Sequence, residues 1–179
     1  MKDLSLHILD IAENSISAGA TLVKIAITED TVGDLLTLEI GDNGRGMPEE
    51  AVRHASDPFY TTRTTRKVGL GLSLLAQSSR EAEGDLAIRS VPGSGTVVTA
   101  TFHHSHIDRK PIGDLAGTMA VLVAGNQSVD FVLSYGINGR TYALDTRDLR
   151  VQLEEVPITA TEVISALAED IREGIEALR

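Results

Sequence analysis

Between Leu4 and Ala18 apolar residues return at Leu4, Ile8, Ile11 and Ala18, near the 3.6-residue period of a helix that lays one face on a core. The period then changes. In LVKIAIT the residues Val23, Ile25 and Ile27 alternate with more polar neighbours, and in LLTLEIGD the residues Leu36, Leu38 and Ile40 do the same. This predicts two half-buried strands joined around Val32, Gly33 and Asp34. MPEEAVRHAS predicts a short helix, because Pro48 suits a first helical turn and the carboxylates after it suit the N-terminal dipole. DPFYTTRTTRKV has no usable period and reads as a loop, after which GLGLSLLAQSSREAE resumes a helical pattern. DLAIRSV, the turn PGSG and TVVTATF complete the pattern as a hairpin.

From His103 to Asp114 the pattern is broken by Pro, Gly and charges, which marks a linker. Beyond it MAVLVAG and VDFVLSYGINGRTYALDT read as three strands, with Asn138 and Gly139 supplying a hairpin turn. TATEVISALAEDIREGIEAL reads as a helix that Thr159 or Thr161 can cap. The expected organisation is a first domain over 1–104, a linker over 105–117, and a small β-sheet plus helix domain over 118–179. A unit that small depends on the first domain or on a second chain for full burial, which leaves room for a homodimer.

The chain has 179 residues, no cysteine and a formal net charge of −10. A core can form without disulfides, and thiolate metal sites are excluded. No basic leader precedes an apolar run, and no stretch approaches the roughly 20 apolar residues of a membrane span. The expectation is a soluble cytoplasmic protein with no membrane partner. Both halves are acidic, which argues against a broad nucleic-acid surface. Arg63, Arg66 and Lys67 stand out against that background.

Four features carry candidate chemistry. On the first helix His7, Asp10 and Asn14, with Glu13 and Ser17 alongside, form a polar stripe through i,i+3 and i,i+4 spacing. DNGRGM, residues 42–47, follows a strand, and Gly44 and Gly46 permit a turn that approaches a flat ligand closely. The third is the Thr/Arg loop. The fourth is GLGLSL, residues 69–74, where Gly69 and Gly71 open a helix whose free N–H groups favour a polyphosphate. His103, His104 and His106 read as solvated linker residues, and His7 as a helix-surface histidine.

In this order the parts resemble the GHKL (Bergerat-fold) ATPase and kinase superfamily. AENSISAGAT followed by DNGRGM resembles its mismatch-repair MutL members, while DPFYTTR, VGLGLSL and PGSGTVVTATF resemble the ATP-binding catalytic domain of histidine kinases. The resemblance spans about residues 4–102 and implies an α+β fold, a two-layer α/β sandwich. It implies that Asn14 holds Mg²⁺, that Asp42 accepts a hydrogen bond from the adenine amino group, and that Thr96 supports Asp42. Gly44, Gly46 and Met47 would line the base, Gly69 and Gly71 the phosphates, and Arg63 would reach the phosphates from the lid loop.

Asp10 stands where hydrolytic members carry a glutamate that activates water, so a carboxylate remains but is one methylene shorter. Sensor kinases place a helical hairpin with the phosphorylated histidine before this domain. Here the ATP-binding helix starts at about residue 4, so that module is expected from another chain. Two readings follow: a stand-alone ATP-dependent protein kinase or slow ATPase acting with an unidentified partner protein, or a nucleotide-gated interaction module that transfers no phosphate.

Overall fold

The computed structural model of the chain describes residues 1–57 and 70–179. Helix α1 (Leu4–Ser17) starts where Asp3 accepts the N–H of Leu6 at 3.1 Å. It buries Leu4, Ile8, Ile11 and Ala12. Strands β1 (Leu22–Asp30) and β2 (Leu35–Asp42) form the expected antiparallel pair. Helix α2 (Glu49–His54) follows, with Pro48 at its N-cap rather than inside its first turn. Helix α3 (Leu70–Glu81) leads into the hairpin of β3 (Leu86–Val91) and β4 (Gly95–His103).

The C-terminal segment differs from expectation in two ways. First, the apolar run MAVLVAG is no strand but part of helix α4 (Leu115–Gly125), capped by Asp114, which accepts the N–H of Gly117 at 2.9 Å. A short continuous apolar run does not distinguish a buried strand from a buried helix, and here the cap decides it. Second, the small C-terminal sheet is not separate. Strand β5 (Asp130–Ile137) pairs in parallel with β1, and β6 (Arg140–Asp145) pairs antiparallel with β5. The result is one six-stranded sheet in the order β3-β4-β2-β1-β5-β6. Parallel pairing needs a crossover, and the chain from β4 through α4 supplies it.

One transverse row shows why the register holds. Ile88, Val98, Ile40, Ile25, Leu133 and Leu144 are successive ladder partners across all six strands. A slip of any one strand by one residue would turn its member of this row to the opposite face of the sheet. α1 packs on β1, β2, α3 and α4, so the helical layer covers that face. Helix α5 (Thr146–Leu153), which the sequence pattern does not announce, packs on β5. Helix α6 (Thr161–Glu176) packs on α4 and β6 and begins at Ala160 without a side-chain cap, so neither Thr159 nor Thr161 has that role.

The segment after β4 is tied down at both ends. His104 hydrogen-bonds Glu29 at 2.7 Å, Ser105 donates through its N–H and hydroxyl to Asp34 at 2.7 and 2.8 Å, and Pro111 and Ile112 carbonyls accept the first N–H groups of α1. The histidines expected to be solvated therefore have carboxylate partners, with His103 3.3 Å from Asp34. His7 is also not on the surface. It is fully buried, and burial, with Lys110 nearby, lowers its pKa to about 4, so the ring is neutral.

Candidate functional site

The rim of the sheet at the C-terminal end of β2 gathers the polar stripe of α1, the DNGRGM loop, the β3–β4 turn and the first turn of α3. Asp42 sits at its centre. It is the ladder partner of Thr96 on β4, its Oδ1 accepts the N–H of Gly44 at 2.8 Å, and its Oδ2 accepts the Ser15 hydroxyl at 2.6 Å. Ser90 completes the group, bridging Thr96 Oγ1 at 2.8 Å, the Gly95 carbonyl at 3.0 Å and the Met47 N–H at 2.8 Å. A carboxylate has about four acceptor positions, so Asp42 fixed by two donors can still accept from a ligand.

The loop after Asp42 is clamped on both sides. Asn43 accepts the N–H groups of Thr21 and Leu22 at 2.9 Å each, and Arg45 donates its N–H to the Ala18 carbonyl and accepts that of Gly93. Gly46 has φ +67°, and a Cβ there would stand 2.1 Å from the Val91 carbonyl oxygen. Gly95 is still tighter, with φ +105° and a Cβ position 1.9 Å from the Asp42 carbonyl oxygen. Only glycine fits either place.

Asp10 and Asn14, one helical turn apart, are half-buried, whereas Glu13 and Ser17 are exposed. α3 comes in against Asp10, since a Cβ on Gly71 would lie 2.2 Å from its Oδ2. Burial pushes the Asp10 carboxyl above the usual carboxylate range. The Asn14 amide makes no hydrogen bond among the described residues, so its oxygen is available to a ligand. Arg63 and Gly69 lie outside the described residues, as do Arg66 and Lys67.

Ser15, Ser90 and Gly95 were not singled out by the sequence pattern. Ser15 adjoins Asn14 in the stripe, and the positive φ that glycine permits is the one local signal for Gly95. Among the described residues no group of three His, Asp or Glu side chains could hold a metal alone. A hard cation at Asn14 would need phosphate oxygens and water to complete its shell, which is how Mg²⁺ is commonly held.

Residues 2–106 match the family described as Histidine kinase-, DNA gyrase B-, and HSP90-like ATPase. The chain belongs to this ATPase family. It is similar to the non-motile and phage-resistance protein of Caulobacter vibrioides, 31% identical over 112 residues, which are 58% of this chain and 13% of that protein. It is also similar to the tetrathionate sensor histidine kinase TtrS of Salmonella typhimurium, 36% identical over 113 residues, 61% of this chain and 18% of that one. The chain thus spans less than a fifth of the length of these two relatives.

Among solved structures it resembles the Aquifex aeolicus MutL ATPase domain complexed with ADP, with TM-score 0.53, 20% identity, and 81% of this chain and 63% of that chain covered. The N-terminal domain of a DNA repair protein superposes with TM-score 0.56 and 18% identity, covering 81% of this chain and 53% of that one. Coverage of 81% extends the shared fold beyond residues 2–106, into the segment whose strands complete the sheet. Among the described residues no helix is long and apolar enough to cross a membrane.

Proposed function

We propose that the chain binds ATP with Mg²⁺ at the rim centred on Asp42 and transfers phosphate to a partner protein. The observation that carries this reading is the Asp42–Thr96 pair, held between Ser15 and a glycine-tight loop at the edge of an open rim. Asp42 accepts from the amino group of the base, with the Ser15 hydroxyl and the Gly44 N–H fixing its orientation and Thr96 beside it on β4. Gly44, Gly46 and Met47 let the chain lie along the ring. Asn14 would hold Mg²⁺, which supplies charge neutralisation at the phosphates when bound. Gly71, Gly69 and Arg63 serve the phosphates from the start of α3 and the loop before it. Asp10 positions the attacking hydroxyl and accepts its proton, and its raised pKa moves it toward the range useful for a base. In this reading residues 1–104 hold the nucleotide and residues 118–179 connect it to a partner.

A second reading is favoured by the Asp10–Gly71 contact. Asp10 is pressed against the first turn of α3, so nucleotide on one side of the carboxylate shifts the helix on the other, and phosphate transfer is unnecessary. The experiment that separates the two is incubation of the protein with γ-labelled ATP and host lysate. Label in a protein band, lost in the Asn14→Ala variant, supports the kinase. ATP-dependent capture of a partner without label supports the gated module.

A further inference from the structure

The two edges of the sheet are finished differently. β3 is covered, because α2 packs on it, the Arg45–Met47 loop lies against its end, and Met47 donates to Ser90. β6 is bare. Outside its own hairpin, residues 140–145 make no backbone hydrogen bond among the described residues, and Arg140, Thr141 and Ala143 are exposed. The strand has no proline, no lysine and no bulge in its register with β5, and its charges, Arg140 and Asp145, stand at its two ends rather than at its centre.

The backbone phase fixes what this edge can receive. Asn138 (φ 50°) and Gly139 (φ 85°) form a two-residue turn of type I′, whose flanking pair Ile137–Arg140 exchanges both hydrogen bonds. Tyr135–Tyr142 and Leu133–Leu144 share that phase, so Thr141, Ala143 and Asp145 aim their N–H and C=O groups outward. A two-fold antiparallel pair of identical strands can have its axis at one of these outward residues or at one between them, and among the outward residues the central one is Ala143.

We infer that β6 is a dimerisation edge, pairing antiparallel with β6 of a second copy about an axis at Ala143 to make a continuous twelve-stranded sheet. The register is self-complementary. Ala143 meets Ala143 with only small side chains on the axis, and Tyr142, whose hydroxyl stays on Asp170, lies opposite Leu144 as an aromatic–aliphatic cross-strand pair; Thr141 falls opposite Asp145, whose carboxylate is already held by Arg147. No like charges stand directly opposite. The net charge of −10 on each copy opposes association, and salt screens it.

The test uses the full-length chain, which has no native cysteine. Residues paired across the axis have Cα atoms about 5.5 Å apart, within disulfide range. Ala143→Cys is expected to give a covalent dimer under mild oxidation, whereas Val32→Cys, which is 92% exposed at the β1–β2 hairpin tip, is not. Ala143→Pro removes an outward N–H without touching the β5 ladder. It should weaken self-association in sedimentation velocity by about tenfold or more, with an unchanged far-ultraviolet spectrum. A wild-type monomer at high micromolar concentration and raised salt overturns the proposal. So does equal cross-linking at positions 143 and 32, or an Ala143→Pro variant that is folded and dimerises as well as the wild type.

Discussion

The β1–β2 hairpin has two ends, and the protein treats their polar groups in opposite ways. At the far end, Glu29 is desolvated, which alone would raise its pKa. The Tyr135 hydroxyl and His104 outweigh that and hold the carboxyl below its ordinary range. Asp34 nearby is held low by the two donors of Ser105. At the rim, Asp10 is pushed the other way by burial, and the Asn14 amide makes no hydrogen bond among the described residues. A polar group that exists to stabilise a fold is matched by the fold. One meant for a ligand is positioned but left incompletely matched, at a small cost in stability.

That contrast can be broken by removing the backbone fit on which the rim depends. Gly95→Ala would place a methyl 1.9 Å from the Asp42 carbonyl oxygen at φ +105°, and should destabilise the protein by about 4 kcal/mol in urea unfolding. Gly93→Ala, also at positive φ but with nothing within 4 Å of the new methyl, should cost only about 1 kcal/mol. Equal costs would mean that the loop moves freely and does not hold Asp42.

His7 belongs to neither end, since both ring nitrogens are buried without a partner among the described residues. Its folded pKa of about 4 lies below the 6.5 of a free imidazole, so the unfolded chain binds the extra proton. Stability should therefore fall as pH drops from about 6.5 to about 4, by as much as about 3 kcal/mol. His7→Leu should flatten that slope in unfolding curves measured across this range. An unchanged slope would assign it to other groups.

Tyr135→Phe sharpens the comparison at the paired end. At pH 7 it should cost about 2 kcal/mol, the worth of a buried hydrogen bond to a charged group. Because the folded pKa of Glu29 is depressed, its contribution is present above the unfolded value and disappears as pH falls through the folded one. The gap between variant and wild type should thus narrow in acid, and a pH-independent gap would show that lost packing is responsible. Asp10→Asn acts at the unmatched end with the opposite sign. It removes a carboxyl whose charge is disfavoured by burial, so thermal unfolding at pH 7 should show a small gain in stability while phosphate transfer is lost. A variant less stable than wild type would mean that Asp10 is a structural partner.

Much of the first 104 residues was legible because period and punctuation agreed. Val23, Ile25 and Ile27 alternate as strongly as any half-buried strand, and the Asp42–Gly46 turn follows at the strand's end. The C-terminal segment was harder for physical reasons. MAVLVAG is apolar on every side, so it carries neither helical nor strand period, and its cap Asp114 lies in what looks like a linker. That β5 joins β1 rather than a sheet of its own depends on contacts more than a hundred residues apart, such as Ile25 with Leu133, which no local pattern reports. Asp42 and Thr96 were assigned their roles by the resemblance of the motifs that carry them, while Gly44 could be read from turn chemistry. Ser15 could not, since its hydrogen bond to Asp42 exists only once α1 lies across β2.

The claim that Asp42 is the centre of a nucleotide site is tested most directly by isothermal titration of Mg-ATP into the wild type and Asp42→Asn. Replacing one carboxylate oxygen by an amide nitrogen turns an acceptor into a donor facing the amino group of the base. Ser15 and the Gly44 N–H then have a single acceptor oxygen to share. Affinity should fall by roughly 2–4 kcal/mol, with thermal stability altered far less. Unchanged affinity in a folded Asp42→Asn protein would contradict the account, because the base would then be bound somewhere else.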